Sequence, residues 1–305
     1  FNIGRNKNKI DKLARGEKEM VLSSGWAGSQ LLNSDDYRAY VGGTTGLIYG
    51  FVNDGFYTVD DFKPFDSKSR TWTLKDGVVN SSPLSGDPRP GNAKFKKLTP
   101  VDENSANPYT LTDDDRTVIG NTTPKFSGGF GLNATFKGFD VSAFFNFMYD
   151  FDVFNANKVM MTTWASNNYN NFSMDISAAK RWRNFDDMGN EIRYSPEILA
   201  EFNKNATMWN PTSIGRPIAM SYAVEDGSFL RLNTATIGYT LPRAWTNKVG
   251  LSRVRFYASG YNLFTITGYS GYDPEVDIAT GLTPNIDNNR YPRSRTYTFG
   301  VQLTF

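Results

Sequence analysis

Residues 296–305 read TYTFGVQLTF, and this closing stretch narrows the fold class. Tyr297, Phe299, Val301, Leu303 and Phe305 occupy the odd positions, with Thr296, Thr298, Gly300, Gln302 and Thr304 between them. Successive side chains of a strand point to opposite faces, so the stretch predicts a strand with one apolar face and one small, polar face. A period of two sustained this long argues against a helix. Two environments accept such a strand. A soluble β-sandwich sets the apolar face against a second sheet. A transmembrane barrel sets it against lipid, with the polar face turned to the lumen.

Working outward, residues 126–150 carry the second strong signal, FSGGFGLNATFKGFDVSAFFNFMYD. Phe130, Leu132, Ala134 and Phe136 share a face in the first arm. Phe139, Val141, Ala143, Phe145, Phe147 and Tyr149 share one in the second. The two-residue joint Lys137-Gly138 predicts a hairpin. Each arm has about the ten residues that a tilted membrane strand needs. In residues 228–242 the apolar register changes near Asn233: Leu230 and Leu232 precede it, and Ala235, Ile237, Tyr239 and Leu241 follow in the other parity. A bulge would reconcile the two halves. Residues 253–265 read as its partner strand. Residues 46–62 read as another strand, broken at the turn-forming Asn53-Asp54-Gly55, and residues 1–10 as a further one.

The connections sort by length. Residues 137–138 and 243–251 are short, whereas 59–125, 151–227 and 266–293 are long, and every long one falls at the same end. Short turns on one side and long loops on the other mark an outer-membrane barrel. Within 151–227, short helices are expected around Ile176 to Trp182 and Pro196 to Asn203.

Composition removes several function classes. Lys plus Arg is 33 and Asp plus Glu is 31, with no basic run, so a nucleic-acid partner is not expected. The chain has neither cysteine nor histidine, which excludes disulfides, thiol nucleophiles, the usual zinc sites and histidine acid–base chemistry. A carboxylate-only mechanism stays formally open. Asp273 and Glu275 are its candidates, but the simpler reading is that they shape a proline-containing turn. No catalytic residue, cofactor or metal is assigned. Asp113, Asp114 and Asp115 are consecutive and lack the alternate spacing and central glycine of a calcium loop. No run of about 20 apolar residues occurs, so no membrane-spanning helix is expected. The mean hydropathy of −0.47 does not bear on barrels, whose strands are only half apolar. Residues 1–10 show no initiator methionine or signal peptide and read as the middle of a longer protein.

Several blocks, in order, resemble the C-terminal barrel portion of SusC/RagA-type TonB-dependent outer-membrane transporters. They are GLIYGFVNDGFY (46–57), DRTVIGNTTPKFSGGF (115–130), FKGFDVSAFF (136–145), GSFLRLNTATIGYTLP (227–242), YNLFTITGYSGYDPEV (261–276) and YPRSRTYTFGVQLTF (291–305). The chain departs from the family where an acidic loop commonly precedes DRTVIGN; LTPVDENSANPYTLTDD stands there instead. The resemblance implies an all-β fold, a transmembrane antiparallel barrel of which residues 1–305 supply about seven strands out of ~22. The plug and the signal peptide would lie upstream, outside this chain, with an upstream barrel segment closing the wall. It also implies an outer-membrane location and TonB-driven import of a nutrient, a glycan first and a peptide as the alternative. The implied partners are a SusD-like surface lipoprotein, the TonB complex acting through the plug, and outer-membrane lipid. The rival from another class is a soluble glycan-binding sandwich. In the long loops, Trp164, Tyr169, Trp182, Trp209, Tyr269 and Tyr272 are the candidate contacts for substrate or lipoprotein, since aromatic rings amid polar residues suit stacking on sugars. The alternative is that they pack the loops' own core.

Overall fold

The structure is a computed structural model that describes residues 1–28, 31–32, 35–163, 172–276 and 281–305. The predicted hairpin forms from the Phe126–Phe136 and Phe139–Tyr149 strands, in continuous register from Phe136 opposite Phe139 to Phe126 opposite Tyr149. Lys137 and Gly138 both have positive φ, 46° and 88°. That is the backbone a two-residue turn needs to match the twist of its strands.

The hairpin is the centre of a six-stranded antiparallel meander. Asn2–Gly4, Phe126–Phe136, Phe139–Tyr149, Phe229–Thr240, Arg253–Thr267 and Thr296–Thr304 pair each with the next. The register of Phe229–Thr240 shifts between Leu232 and Thr234 against both neighbours, leaving Asn233 unpaired. This bulge resolves the parity change in the sequence. Leu230 and Leu232 pair with Phe147 and Phe145, while Ala235, Ile237 and Tyr239 pair with Ala143, Val141 and Phe139. Cross-strand partners share a face, so the apolar residues on both sides of the bulge form one surface. That surface continues through Phe256 and Ala258 to Val301 and Phe299. It is uncovered: Phe136, Ile237 and Phe299 are exposed, the last to 81%.

At one end of the sheet lie the short connections, 137–138 and 241–252. The remaining connections leave from the other end, where Phe126 faces Tyr149 and Phe229 faces Thr267. They are not separate loops. Trp26, Tyr37, Ile48, Phe51, Phe95, Leu111, Phe154, Trp209, Met220 and Ile286 pack in one buried cluster drawn from all of them. A four-stranded sheet of Glu19–Leu22, Tyr37–Tyr40, Leu47–Gly50 and Thr117–Asn121 supports this cap.

Two sequence expectations are corrected here. The 46–62 segment, read as one of about seven wall strands, contributes Leu47–Gly50 to the cap sheet instead; the main sheet of the described residues has six strands and is open, as expected of a part that does not close a barrel by itself. All four of its residues are buried, which is what an unbroken apolar run does when both faces of a strand are covered. The helix expected around Ile176 to Trp182 is only a 3₁₀ turn at Met174–Ile176; the Trp182 N–H instead donates to the Met208 carbonyl at 2.8 Å. The other expected helix is present as Pro196–Phe202, with Asn203 as its C-cap.

The DRTVIGN block owes its place in the cap to Asp115. Its Oδ1 accepts from the backbone N–H groups of Leu98 (2.9 Å) and Thr99 (2.8 Å) and from the Thr99 hydroxyl (2.7 Å). Its Oδ2 accepts from Thr112 N–H (2.8 Å) and Lys97 Nζ (3.2 Å). Burial by itself raises this carboxyl, but the Thr99 hydroxyl and the three N–H donors outweigh it and hold the group far below the usual carboxylate range. Asp113 turns instead to Arg116, at 3.2 Å. The aspartate run is therefore a clasp between residues 97–99 and 112–116.

Candidate functional site

The face of the meander opposite its apolar surface is polar. Asp140 and Arg255 pair across the intervening strand, with Arg255 Nε 2.9 Å from Asp140 Oδ1 and a second contact through Nη2. Thr236 and Ser259 join through their hydroxyls at 2.8 Å. Two glycines give this face its relief. A Cβ at Gly238 would stand 2.4 Å from Arg255 Nη2, and one at Gly300 would stand 2.4 Å from the Tyr257 ring. Both long side chains lie along the sheet where the glycines leave room. The result is a mainly polar wall with paired charge, interrupted by the exposed Phe144 ring and suited to hydrogen bonding with a hydrophilic solute.

Where this wall meets the cap, Arg231 is 1% exposed. Its Nη2 lies 2.5 Å from Asp273 Oδ1 and its Nη1 lies 3.6 Å from Glu275 Oε2. Arg293 reaches Glu275 Oε1 at 2.8 Å. Asp273 Oδ1 also accepts the Glu275 N–H at 2.9 Å. The two carboxylates considered for catalysis thus shape their turn and clamp it to the Phe229–Thr240 strand. Sequence reading missed Arg231. Its signal was a single arginine between Leu230 and Leu232, paired at a distance with the acidic GYDPE turn.

The four candidate aromatics among the described residues do not converge. Trp164 and Tyr169 lie outside the described residues. Trp182 packs with Ile192 and Leu199. Trp209 belongs to the central cap cluster, edge-on to Tyr222 with ring centroids 4.8 Å apart. Tyr269 packs with Phe151, Val153, Phe229 and Val276 at the junction of sheet and cap. Its hydroxyl donates to Asp287 at 2.7 Å, and burial together with that carboxylate pushes the phenol far above its ordinary range. Trp182, Trp209 and Tyr269 therefore present almost no surface to a ligand. Tyr272 is 83% exposed. Tyr297, Phe299, Val301, Leu303 and Phe305 are all exposed, at the margin of the apolar surface.

The cap also holds an open cleft of about 730 Å³ between the 70–72 segment, the 85–92 turn, residues 193–194 and residues 212–215.

No family model matches the chain. It is 30% identical over 311 residues to TonB-dependent receptor P3 of Formosa agariphila, an alignment covering 100% of this chain and 26% of that protein. It is 32% identical over 164 residues to TonB-dependent receptor SusC of Bacteroides thetaiotaomicron, covering 49% of this chain and 15% of that protein. Among solved structures, the RagAB peptide importer in its open-open state superposes with a TM-score of 0.62 at 22% identity, over 99% of this chain and 26% of that one. That last likeness is one of fold. The chain spans about a quarter of the length of the curated relatives that it matches from end to end.

Proposed function

We propose, on the premise that this chain is similar along its whole length to a TonB-dependent receptor, over 49% of it to SusC, and in fold to RagAB, that it forms part of the wall and cap of an outer-membrane nutrient importer. The observation that carries this reading is the uncovered apolar surface of the six-stranded meander, backed by a polar face and a folded cap at one end. Lipid is the environment such a surface suits. A soluble sandwich would need a second sheet against it, and Phe136, Ile237 and Phe299 have none upon them among the described residues.

In this reading the end strands Asn2–Gly4 and Thr296–Thr304 pair with strands of the rest of the barrel, because backbone groups facing lipid must be satisfied. The cap stands on the extracellular side and receives a SusD-like lipoprotein. Exposed Tyr272 is a contact for that lipoprotein or for substrate. The TonB complex pulls on a plug that lies outside this chain. The solute is a glycan. The peptide reading rests on the structural likeness to a peptide importer.

Uptake decides between them. Cells with and without the full-length protein are given fluorescent oligosaccharides or fluorescent peptides, with the proton-motive force intact or collapsed. The reading expects protein-dependent, energy-dependent accumulation of oligosaccharides. Accumulation of peptides alone would move the substrate to the second reading. Equal accumulation of both with the force collapsed would remove the import function.

A further inference from the structure

We infer that the cap cleft is a binding site for an acidic oligosaccharide, one whose sugar rings bear carboxylate or sulfate groups; this deepens the import reading and rests on it. At about 730 Å³ the cleft has the size of an ordinary small-ligand pocket. Arg70, Arg89 and Arg193 line it, with Asp87 as the acidic residue among the lining groups. Arg193 already pairs with Glu191. The side chains of Arg70 and Arg89 have no carboxylate partner among the described residues. An unpaired guanidinium fork fits a carboxylate or a sulfate in bidentate fashion, where a lysine offers only a point charge.

Both free arginines are held on stiff backbone. Arg89 lies between Pro88 and Pro90, whose rings fix φ. The turn that carries it is tied by Asn92, whose Nδ2 donates to the Ser85 carbonyl at 3.0 Å and the Asp87 carbonyl at 2.9 Å. Gly91 closes the turn against the Trp182 ring, leaving no room for a Cβ, which would stand 2.2 Å from Cδ1. Arg70 sits at φ 55°, rare for a residue other than glycine. The neighbouring Asp66 carboxylate holds that bend by accepting from Lys68 N–H (2.9 Å) and the Ser69 hydroxyl (2.7 Å). The bend sets the guanidinium 5.2 Å from the centre of the Tyr194 ring. Trp72, half-buried and packed against Phe62 and Phe65 with ring centroids 5.4 and 4.8 Å away, lines the same cleft with the indole surface those rings leave uncovered, against which a sugar ring can pack. Positive charge beside an aromatic surface favours an acidic sugar over a neutral one. The indole favours it over an acidic peptide.

The test uses the full-length protein in detergent, followed by calorimetry and tryptophan fluorescence. The probes are tetragalacturonate, a chondroitin sulfate tetrasaccharide, cellotetraose and tetraglutamate. The acidic oligosaccharides are expected to bind, with affinity that falls as salt rises. The double variant Arg70→Gln/Arg89→Gln is expected to bind them about tenfold or more weakly with an unchanged melting temperature, since both side chains are exposed. Cellotetraose binding equally well, tetraglutamate binding as tightly, or the double variant binding normally would each overturn the assignment. So would the absence of binding by any probe. Energy-dependent uptake that persists in any of those cases leaves the import reading standing, so the two failures are distinct.

Discussion

Arg231→Met frees the 268–276 segment from the sheet and costs about 3–5 kcal/mol of local stability, the usual penalty for removing one member of a buried ion pair. Arg231 holds Asp273 at 2.5 Å and Glu275 at 3.6 Å, and all three side chains are at most 10% exposed. Without the guanidinium, Asp273 keeps, among the described residues, its turn contact to the Glu275 N–H, and Glu275 keeps Arg293. A buried carboxylate without a cation is costly, and relief comes when its segment moves to water. Arg231→Lys is not a repair, because one ammonium cannot span both carboxylates as the guanidinium fork does. Hydrogen exchange over 268–276 in the full-length protein is the readout. Faster exchange there, with unchanged exchange in the Phe126–Tyr149 hairpin, is the expected result. The double variant Arg231→Met/Asp273→Leu should recover part of the protection, since replacing both buried charges leaves less uncompensated. Unchanged exchange over 268–276 in the single variant would show that the ion network does not hold the turn.

Trp209→Ala is expected to loosen the cap by about 3–5 kcal/mol, the range for removing a buried tryptophan from a packed core. Trp209 is 2% exposed and is the largest fully buried side chain among the described residues. Its neighbours in the cluster come from segments far apart in sequence, including Tyr37, Phe95, Phe154 and Ile286. The cavity would therefore weaken every long connection at once. Exchange should speed up together over residues 37–51, 93–95 and 208–223, while the sheet itself stays protected. If Trp209→Ala abolished substrate or lipoprotein binding without changing exchange in these segments, the ring would be a contact residue and not core.

The contrast between sheet and cap explains how far the sequence could be read. The meander was legible because each strand carries its own signal. TYTFGVQLTF and the two arms of 126–149 alternate with period two, and Lys137-Gly138 is a turn in local sequence terms. Even the bulge at Asn233 was legible, since a bulge is the local way to keep Leu230 and Ile237 on one surface. The cap was not legible. Its core is assembled from single residues, Trp26 here and Trp209 or Ile286 there, each in a polar stretch that looks like a loop by itself. Only long-range packing unites them. The same reason left the aromatic candidates undecided, for a tryptophan amid asparagines reads alike whether it stacks on a sugar or closes a core. Leu47–Gly50 was assigned to the wall although LIYGF does not alternate, and that unbroken apolar run was the clue that both its faces are covered. Arg231 and its carboxylates lie 42 residues apart or more, and no spacing rule joins them.

The central claim is that odd positions of the closing strand face lipid and even positions face a watery interior. The chain has no cysteine of its own, so single cysteines can be placed at Thr298, Phe299, Val301, Gln302 and Leu303 of the full-length protein in lipid vesicles. Each is tested for reaction with a water-borne maleimide and, once carrying a fluorophore, for quenching by nitroxide lipids. Gly300 is omitted because a side chain there would meet the Tyr257 ring. The account predicts alternation: Phe299→Cys, Val301→Cys and Leu303→Cys quenched by lipid and slow to react, Thr298→Cys and Gln302→Cys reactive and unquenched. Uniform reactivity along the strand, or the opposite parity, would contradict it.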